Sequence, residues 1–435
     1  MSYGYSIEPV PSESRRYDFI DNFSIWFGVG ISIAEFWAGA ILAAPPVSLT
    51  LKEALLAIIA GHVLGNLLLS LIGVVGVETG LPTMVIARRP LGLRGSHLVS
   101  ALNYLQLIGW TAVMLIVGGR AMNTVSLSVF GVEAYWVWVL LLGVVVTFWS
   151  VVGPEKWSIM ERLSAVLLVV LTGWLTYVVF ERYGFWEWFK GPLSFSHSFW
   201  LALDLVVAMP VSWAPLIADY TRFSKNTRGA FWGSYTGYFA ASSLFYFLGA
   251  YSNIVLGEMD PISVIAFYGL GIPAMLIIIF STVTTTFLDV YSAAITYKNM
   301  APRADVRKHI VIAGALGTLL ALVFPMEEYE WFLLLIGGSF VSLTGVMIAD
   351  YVLERSEYRD PLKVMNPGVN VKWGALVVWS TGFTLYMLLS APILLGVHVP
   401  FFSDLGSRIG SSMPTLIVVF IAYIVYNRLA RGGRA

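Results

Sequence analysis

Three carboxylates stand inside long apolar runs of this chain: Glu35 in GISIAEFWAG, Asp204 in LALDLVVAMP and Asp289 in TTTFLDVYSAA. A carboxyl at the centre of a membrane helix costs about 2.5 to 3.5 kcal/mol on insertion scales, so such a group is expected to face a protein-lined cavity. Hydroxyls accompany the third acid: Ser281, Thr284 and Thr285 precede Asp289 at steps of three, one and four, with Thr286 beside them. Oxygen donors of this kind suit a hard cation such as Na⁺. Serine and threonine in apolar helices also bond back to their own carbonyls, which leaves a structural reading open. In NYLQLIGWTAV, Asn103, Gln106 and Trp110 fall at steps of three and four and share one helical face. An indole stacks a flat heteroaromatic ring, for about 1 to 3 kcal/mol per nucleobase, and an amide beside it both donates and accepts. A tryptophan packed in a helix bundle would show the same spacing.

The elements that must position these groups are membrane helices. Of 435 residues 58% are hydrophobic and 12% charged, and the mean hydropathy is +0.78, so the chain cannot present a mostly polar surface to water. Sixteen tryptophans and 21 tyrosines fit the aromatic belts of a lipid interface. A span needs about 20 apolar residues, and about twelve candidates begin near residues 19, 50, 96, 134, 158, 197, 229, 271, 306, 329, 371 and 411. There is no cysteine, and His62, His97, His197, His309 and His398 are dispersed, so thiolate chemistry is excluded and no metal motif or cofactor is expected. Without a GxxxxGK[ST] loop for ATP, uphill work must draw on an ion gradient. Nor is there a recognisable nucleophile with its base, which argues against an enzyme.

Basic residues gather in alternate loops. With the amino terminus inside, the cytoplasmic segments hold all of the 26 Lys and Arg except Lys52, Arg120, Arg182, Lys190 and Arg408. Both termini are therefore expected in the cytoplasm of a multi-pass cell-membrane protein with an even number of spans. Residues 1–18 read as a cytoplasmic tail rather than a signal peptide.

Two spans carry interruptions. The first has Gly28 and Gly30 ahead of Glu35, and the sixth, AMPVSWAPLIADYTRF, has Pro210 and Pro215, each of which removes an amide donor. Breaks at corresponding places of two halves point to an inverted-repeat secondary transporter with its site at the bilayer midplane. Freed carbonyls there can hold a cation and freed amides a polar solute. His62 reads as a neutral interhelical residue, and Asp219 and Asp350, both in IADY near helix ends, read as gate or anchor elements beside arginines.

The run GNLLLSLIGVVGVETGLPTMVIARRPLGLRGS, Gly109 with Trp110, IADYTRFSKN at 217–226, Thr284 to Thr286 followed by YSAA, and GVMIADYVLERSEY occur in one order along the chain. Together they resemble the nucleobase:cation symporter-1 family, with most similarity to its cytosine permease and hydroxymethylpyrimidine transporter branches. The resemblance implies an all-α LeuT-type fold: inverted five-helix repeats over 19–190 and 191–356, two further helices over 357–430, broken helices one and six, and a short tail at 431–435. It implies a sodium site from carbonyls near Gly28, Ile31 and Ser32 and hydroxyls of Thr284 and Thr285. It also implies a substrate stacked on Trp110.

Departures from the family pattern bear on the solute. Gln106 lies one step from the expected glutamine, and the expected sixth-helix aromatic falls on Pro210, leaving Trp213 or Phe36 to replace it. Ser281 and Thr286 stand for asparagines of cytosine permease, and Glu35 and Asp204 for small residues. A pocket that exchanges amides for carboxyls prefers a solute with more donors or a protonatable ring, which disfavours uracil and hydantoin, leaves cytosine possible and favours an aminopyrimidine such as hydroxymethylpyrimidine. The expectation is a monomeric, cation-coupled importer of a pyrimidine-type base that binds no nucleic acid. A proton could replace Na⁺, and an amino acid or another small solute could replace the base.

Overall fold

The computed structural model describes residues 3–189, 193–257, 271–324 and 329–432. Thirteen principal helices organise them: α1 (Phe19–Gly30), α2 (Ile33–Ala43), α3 (Leu51–Thr79), α4 (Gly95–Phe130), α5 (Tyr135–Val152), α6 (Pro154–Tyr183), α7 (His197–Trp213), α8 (Thr227–Leu256), α9 (Gly271–Met300), α10 (Val306–Ala321), α11 (Tyr329–Tyr358), α12 (Trp373–Leu389) and α13 (Ser412–Gly432). Among the described residues eight helices are long and apolar enough to cross a membrane, and α1 with α2, bent by 55° at a short break, make a ninth. The chain is a multi-pass membrane protein. The shorter α10 and α12, with 16 and 17 residues, pack among these helices together with α9.

Side-chain size sorts the helices into two groups. In the first, α8 runs the length of α1 and α2 and also meets α3, while α3 packs on α7. Small residues make these approaches possible, as expected where lipid offers no hydrophobic drive between helices. A Cβ on Gly233 or Gly237 of α8 would run into the Phe19 or Phe23 carbonyl, one on Gly249 into that of Phe36, and one on Gly39 into the backbone of Tyr246. The second group is α4, α5, α9 and α10, which pack on one another. Between the groups, α6 lies along α1 and α9, and α11 along α7 and α3, with α12 and α13 outside α11.

The first interruption falls next to the glycines, directly after Gly30. Gly28 and Gly30 both lie inside α1, and the chain leaves the helix at Ile31 (φ −88°, ψ 84°) and Ser32 (φ −137°, ψ 152°), conformations open to any residue. Gly30 serves close approach instead: a Cβ there would sit 2.8 Å from Ala241 Cβ and from the Ser242 amide on α8. Ser32 then caps α2, its hydroxyl accepting the Glu35 N–H at 3.2 Å.

The sixth segment is interrupted at Pro215 and not at Pro210. Pro210 is inside α7, where its ring rests against the bare Cα of Gly65. Regular α-helix ends at Trp213, and residues 214–217 form tight turns around Pro215, with Leu216 N–H bonded to Trp213 O and Asp219 N–H to Leu216 O. Residues 197–221 nonetheless run as one span.

Arg89 pairs with Asp350 at 3.3 Å, and Asp350 also accepts the Tyr358 and Tyr423 hydroxyls at 2.6 and 2.7 Å. Asp219 accepts the Thr83 amide at 3.0 Å while Thr83 Oγ1 accepts the Ala218 amide at 2.9 Å, a reciprocal latch between the loop after α3 and the end of the sixth span. Both IADY aspartates thus act as anchors.

Candidate functional site

The break in the first span faces α9. Thr285 Oγ1 lies 3.5 Å from the Gly28 carbonyl and 3.3 Å from that of Val29, so the hydroxyl of one group meets the last carbonyls of α1 in the other. Carbonyl oxygens near a helix C-terminus carry the negative end of the dipole. Thr284 donates to Phe280 O at 2.7 Å, which leaves its oxygen lone pairs available, and its Oγ1 is 3.6 Å from where a Cβ on Gly28 would stand. Gly28, Thr284 and Thr285 therefore converge, joined by the Val29 carbonyl, which the sequence reading had passed over. Ser32 is engaged through its hydroxyl as the cap of α2, and the Ile31 amide returns to Phe27 O.

The polar face of α4 points at the other interruption. Gln106 Nε2 donates to Asn103 Oδ1 at 2.8 Å and to Ser212 O at 3.1 Å, next to the end of α7. Asn103 in turn donates to Thr296 Oγ1 at 2.8 Å on α9. Both Gln106 amide hydrogens are engaged, so its remaining Oε1, buried and without a hydrogen-bond partner among the described residues, can only accept. Trp110 is buried one turn further along and meets the ring of Phe332 edge-on at 5.6 Å. Phe332, on α11, is an aromatic neighbour the sequence did not reveal, because EYEWFLLL reads equally well as an interfacial belt. Trp213 is buried at the end of α7 against Trp26 of α1 at 6.2 Å.

Other candidates take different places. Glu35 is buried, but its Oε1 accepts the Tyr238 hydroxyl at 2.5 Å, tying α2 to α8. Nearby, His62 Nδ1 lies 2.8 Å from Ile58 O, which can only accept, so Nδ1 carries the proton and Nε2 accepts from Ser242 Oγ at 2.6 Å. His62 is the hydrogen-bonded interhelical residue expected, joining α3 to α8. Asp204 is engaged elsewhere: its two oxygens accept the Ser411 and Ser412 amides, the second at 2.8 Å, at the start of α13, so it caps a helix. Ser281, Thr286 and Asp289 are buried on α9, and neither Asp289 oxygen has a hydrogen-bond partner among the described residues. Phe36 is buried where its carbonyl meets Gly249 of α8, and Pro210 packs on Gly65, so neither forms a second face over Trp110 in the contacts described.

A residue overlooked in the sequence stands beside the break. Glu161 of α6 is fully buried, and its Oε2 is 3.2 Å from the Cβ position of Gly28, the same point that Thr284 adjoins. In KWSIMERLSAV it reads as one of several charges at a helix end. Its neighbour Arg162 does have that role, bonding Asp21 at 2.8 Å and Asp18 at 3.2 Å, but consecutive residues of a helix point about 100° apart.

A family model described as permease for cytosine/purines, uracil, thiamine, allantoin matches residues 9–410. The cytosine permease of Escherichia coli (strain K12) is 27% identical over 387 residues, covering 87% of each chain. The allantoin permease of Bacillus subtilis (strain 168) is 25% identical over 463 residues, covering 97% of this chain and 92% of the permease. Among solved structures, Mhp1, a nucleobase-cation-symport-1 family transporter in a closed conformation with bromovinylhydantoin bound, superposes with a TM-score of 0.81 at 20% identity. That match covers 98% of this chain and 95% of the other and is a likeness of fold.

Proposed function

Since the chain belongs to the family of permeases for cytosine and purines, uracil, thiamine and allantoin, we propose that it imports a pyrimidine-type base, hydroxymethylpyrimidine or cytosine, together with Na⁺ by alternating access. It works as a transporter in the cell membrane, with both termini cytoplasmic. The observation that carries the choice of solute is Gln106: with its amide hydrogens held by Asn103 and Ser212, it offers a buried carbonyl oxygen. A buried acceptor rejects a ring edge that brings another acceptor and rewards an amino group. Cytosine and hydroxymethylpyrimidine carry such an amino group, and Trp110 supplies the surface on which the ring lies.

Coupling follows from what the cation touches. An ion held by the Gly28 and Val29 carbonyls and the Thr284 and Thr285 oxygens ties α1 of the first group to α9 of the second, so it favours the state in which the solute pocket between the groups is assembled. By linkage the solute raises the affinity for the ion by the same factor.

The test is a binding screen of purified protein against cytosine, hydroxymethylpyrimidine, thiamine, purines, hydantoins and amino acids, at zero and saturating Na⁺. Tightest binding by an aminopyrimidine, strengthened by Na⁺, is expected. Preference for uracil, a hydantoin or an amino acid would overturn the solute assignment, and acid-driven uptake indifferent to Na⁺ would replace the ion by a proton.

A further inference from the structure

We propose that Glu161 is an anionic ligand of the coupling-cation site, so that the cation is held by three spans rather than by the broken first span and α9 alone. The inference rests on the cation-coupled reading above and adds a residue to it. Glu161 has no solvent exposure, and neither carboxylate oxygen makes a hydrogen bond of good geometry among the described residues. The Trp149 indole, itself buried without a hydrogen-bond partner of good geometry among the described residues, neighbours it. A buried carboxylate so poorly compensated is costly unless a positive charge joins it, and the space next to it is lined by oxygen.

Gly28 marks that space. A Cβ on this residue would meet Glu161 Oε2 at 3.2 Å and Thr284 Oγ1 at 3.6 Å, so the bare Cα lets a carboxylate and a hydroxyl approach the backbone whose carbonyl already faces Thr285. The oxygens are thus one carboxylate, the Gly28 and Val29 carbonyls and two hydroxyls, a donor set suited to a small hard cation. The site without Glu161 would hold a full positive charge in the membrane interior when occupied, whereas with the ionised carboxylate a monovalent cation leaves the occupied site neutral. The same geometry lets α6, which links the two groups, sense whether the cation is present.

The decisive measurement is equilibrium binding of ²²Na⁺ to the purified full-length protein with no base present, so that a wrong solute assignment cannot affect it. Wild type should bind saturably. Glu161→Gln, which keeps the shape and an acceptor for the Trp149 indole, should weaken Na⁺ at least tenfold, and Glu161→Asp should recover part of that loss. Gly28→Ala fills the space without touching the charge and should also weaken Na⁺, which guards against a Glu161 variant that fails to fold. Affinity within twofold of wild type in a folded Glu161→Gln would by itself overturn the proposal and leave Glu161 as a partner of Trp149, as would unaltered affinity in Gly28→Ala should Glu161→Gln fail to fold, or the absence of saturable Na⁺ binding to wild type.

Discussion

Trp110 and Glu35 are both buried among aromatic neighbours, yet the contacts around them predict opposite outcomes. Trp110 meets Phe332 at 5.6 Å on the polar side of α4, and a base stacked there would owe it about 1 to 3 kcal/mol. Trp110→Ala is therefore expected to weaken base binding by roughly 5- to 150-fold while ²²Na⁺ still binds, and unaltered base affinity would move the pocket elsewhere. Glu35 holds the Tyr238 hydroxyl. Glu35→Leu leaves that hydroxyl buried without its acceptor, at a cost of about 1 to 3 kcal/mol, and should lower the melting temperature in detergent. A melting temperature equal to wild type would show that the bond contributes nothing. The polar stripe of α4 and the hydroxyls of α9 could be read from spacing alone, since helical period puts them on one face. Glu161 could not, because a carboxylate next to an arginine at a helix start looks the same whether it faces water or a broken helix.

Element positions were readable for a simple reason. Apolar length sets where a helix must start, and the helices beginning at residues 19, 51, 95, 135, 197, 227, 271, 306, 329, 373 and 412 each start within about two residues of an apolar run seen in the sequence, with the one at 154 four residues early. Composition placed the break near Gly28 and Gly30 but not the residues that leave the helix. Ile31 and Ser32 look like ordinary span residues, and the glycines beside them are explained by neighbours that only folding brings near. The same argument gives a prediction at this scale. Gly249 faces the Phe36 carbonyl so closely that a methyl group forces α2 and α8 apart. Gly249→Ala should cost about 1 to 3 kcal/mol of stability by overpacking and reduce base binding, because α2 carries one side of the break. Full stability in a thermal scan would mean that the α2–α8 crossing yields without strain.

At the scale of the molecule, the two helix groups must rock against each other if the site is to face each side in turn, and residues 4–17 bridge them. Toward the first group, the Val10 amide bonds Gly80 O at 3.0 Å and the buried Arg222 reaches Ser6 O at 2.7 Å. Toward the second, Tyr5 donates to Val151 O at 2.8 Å and lies under the Arg307 guanidinium at 4.5 Å, while Tyr291 donates to Gly4 O at 2.6 Å. None of this was visible in the sequence, where the tail is a polar stretch without periodicity. Each of these hydrogen bonds contributes about 0.5 to 1.5 kcal/mol net, so removing residues 1–14 should shift the equilibrium toward opening on the tail side by tenfold or more. The chain has no cysteine, so a single Ser292→Cys reports on that opening: Ser292 is buried on α9, 3.1 Å from the Tyr220 hydroxyl of the other group. Maleimide labelling of Cys at this position should be at least tenfold faster in the truncated protein, and Na⁺ should slow it in both forms by holding α1 to α9. Equal labelling rates with and without the tail would show that the groups separate along a surface the tail does not cross.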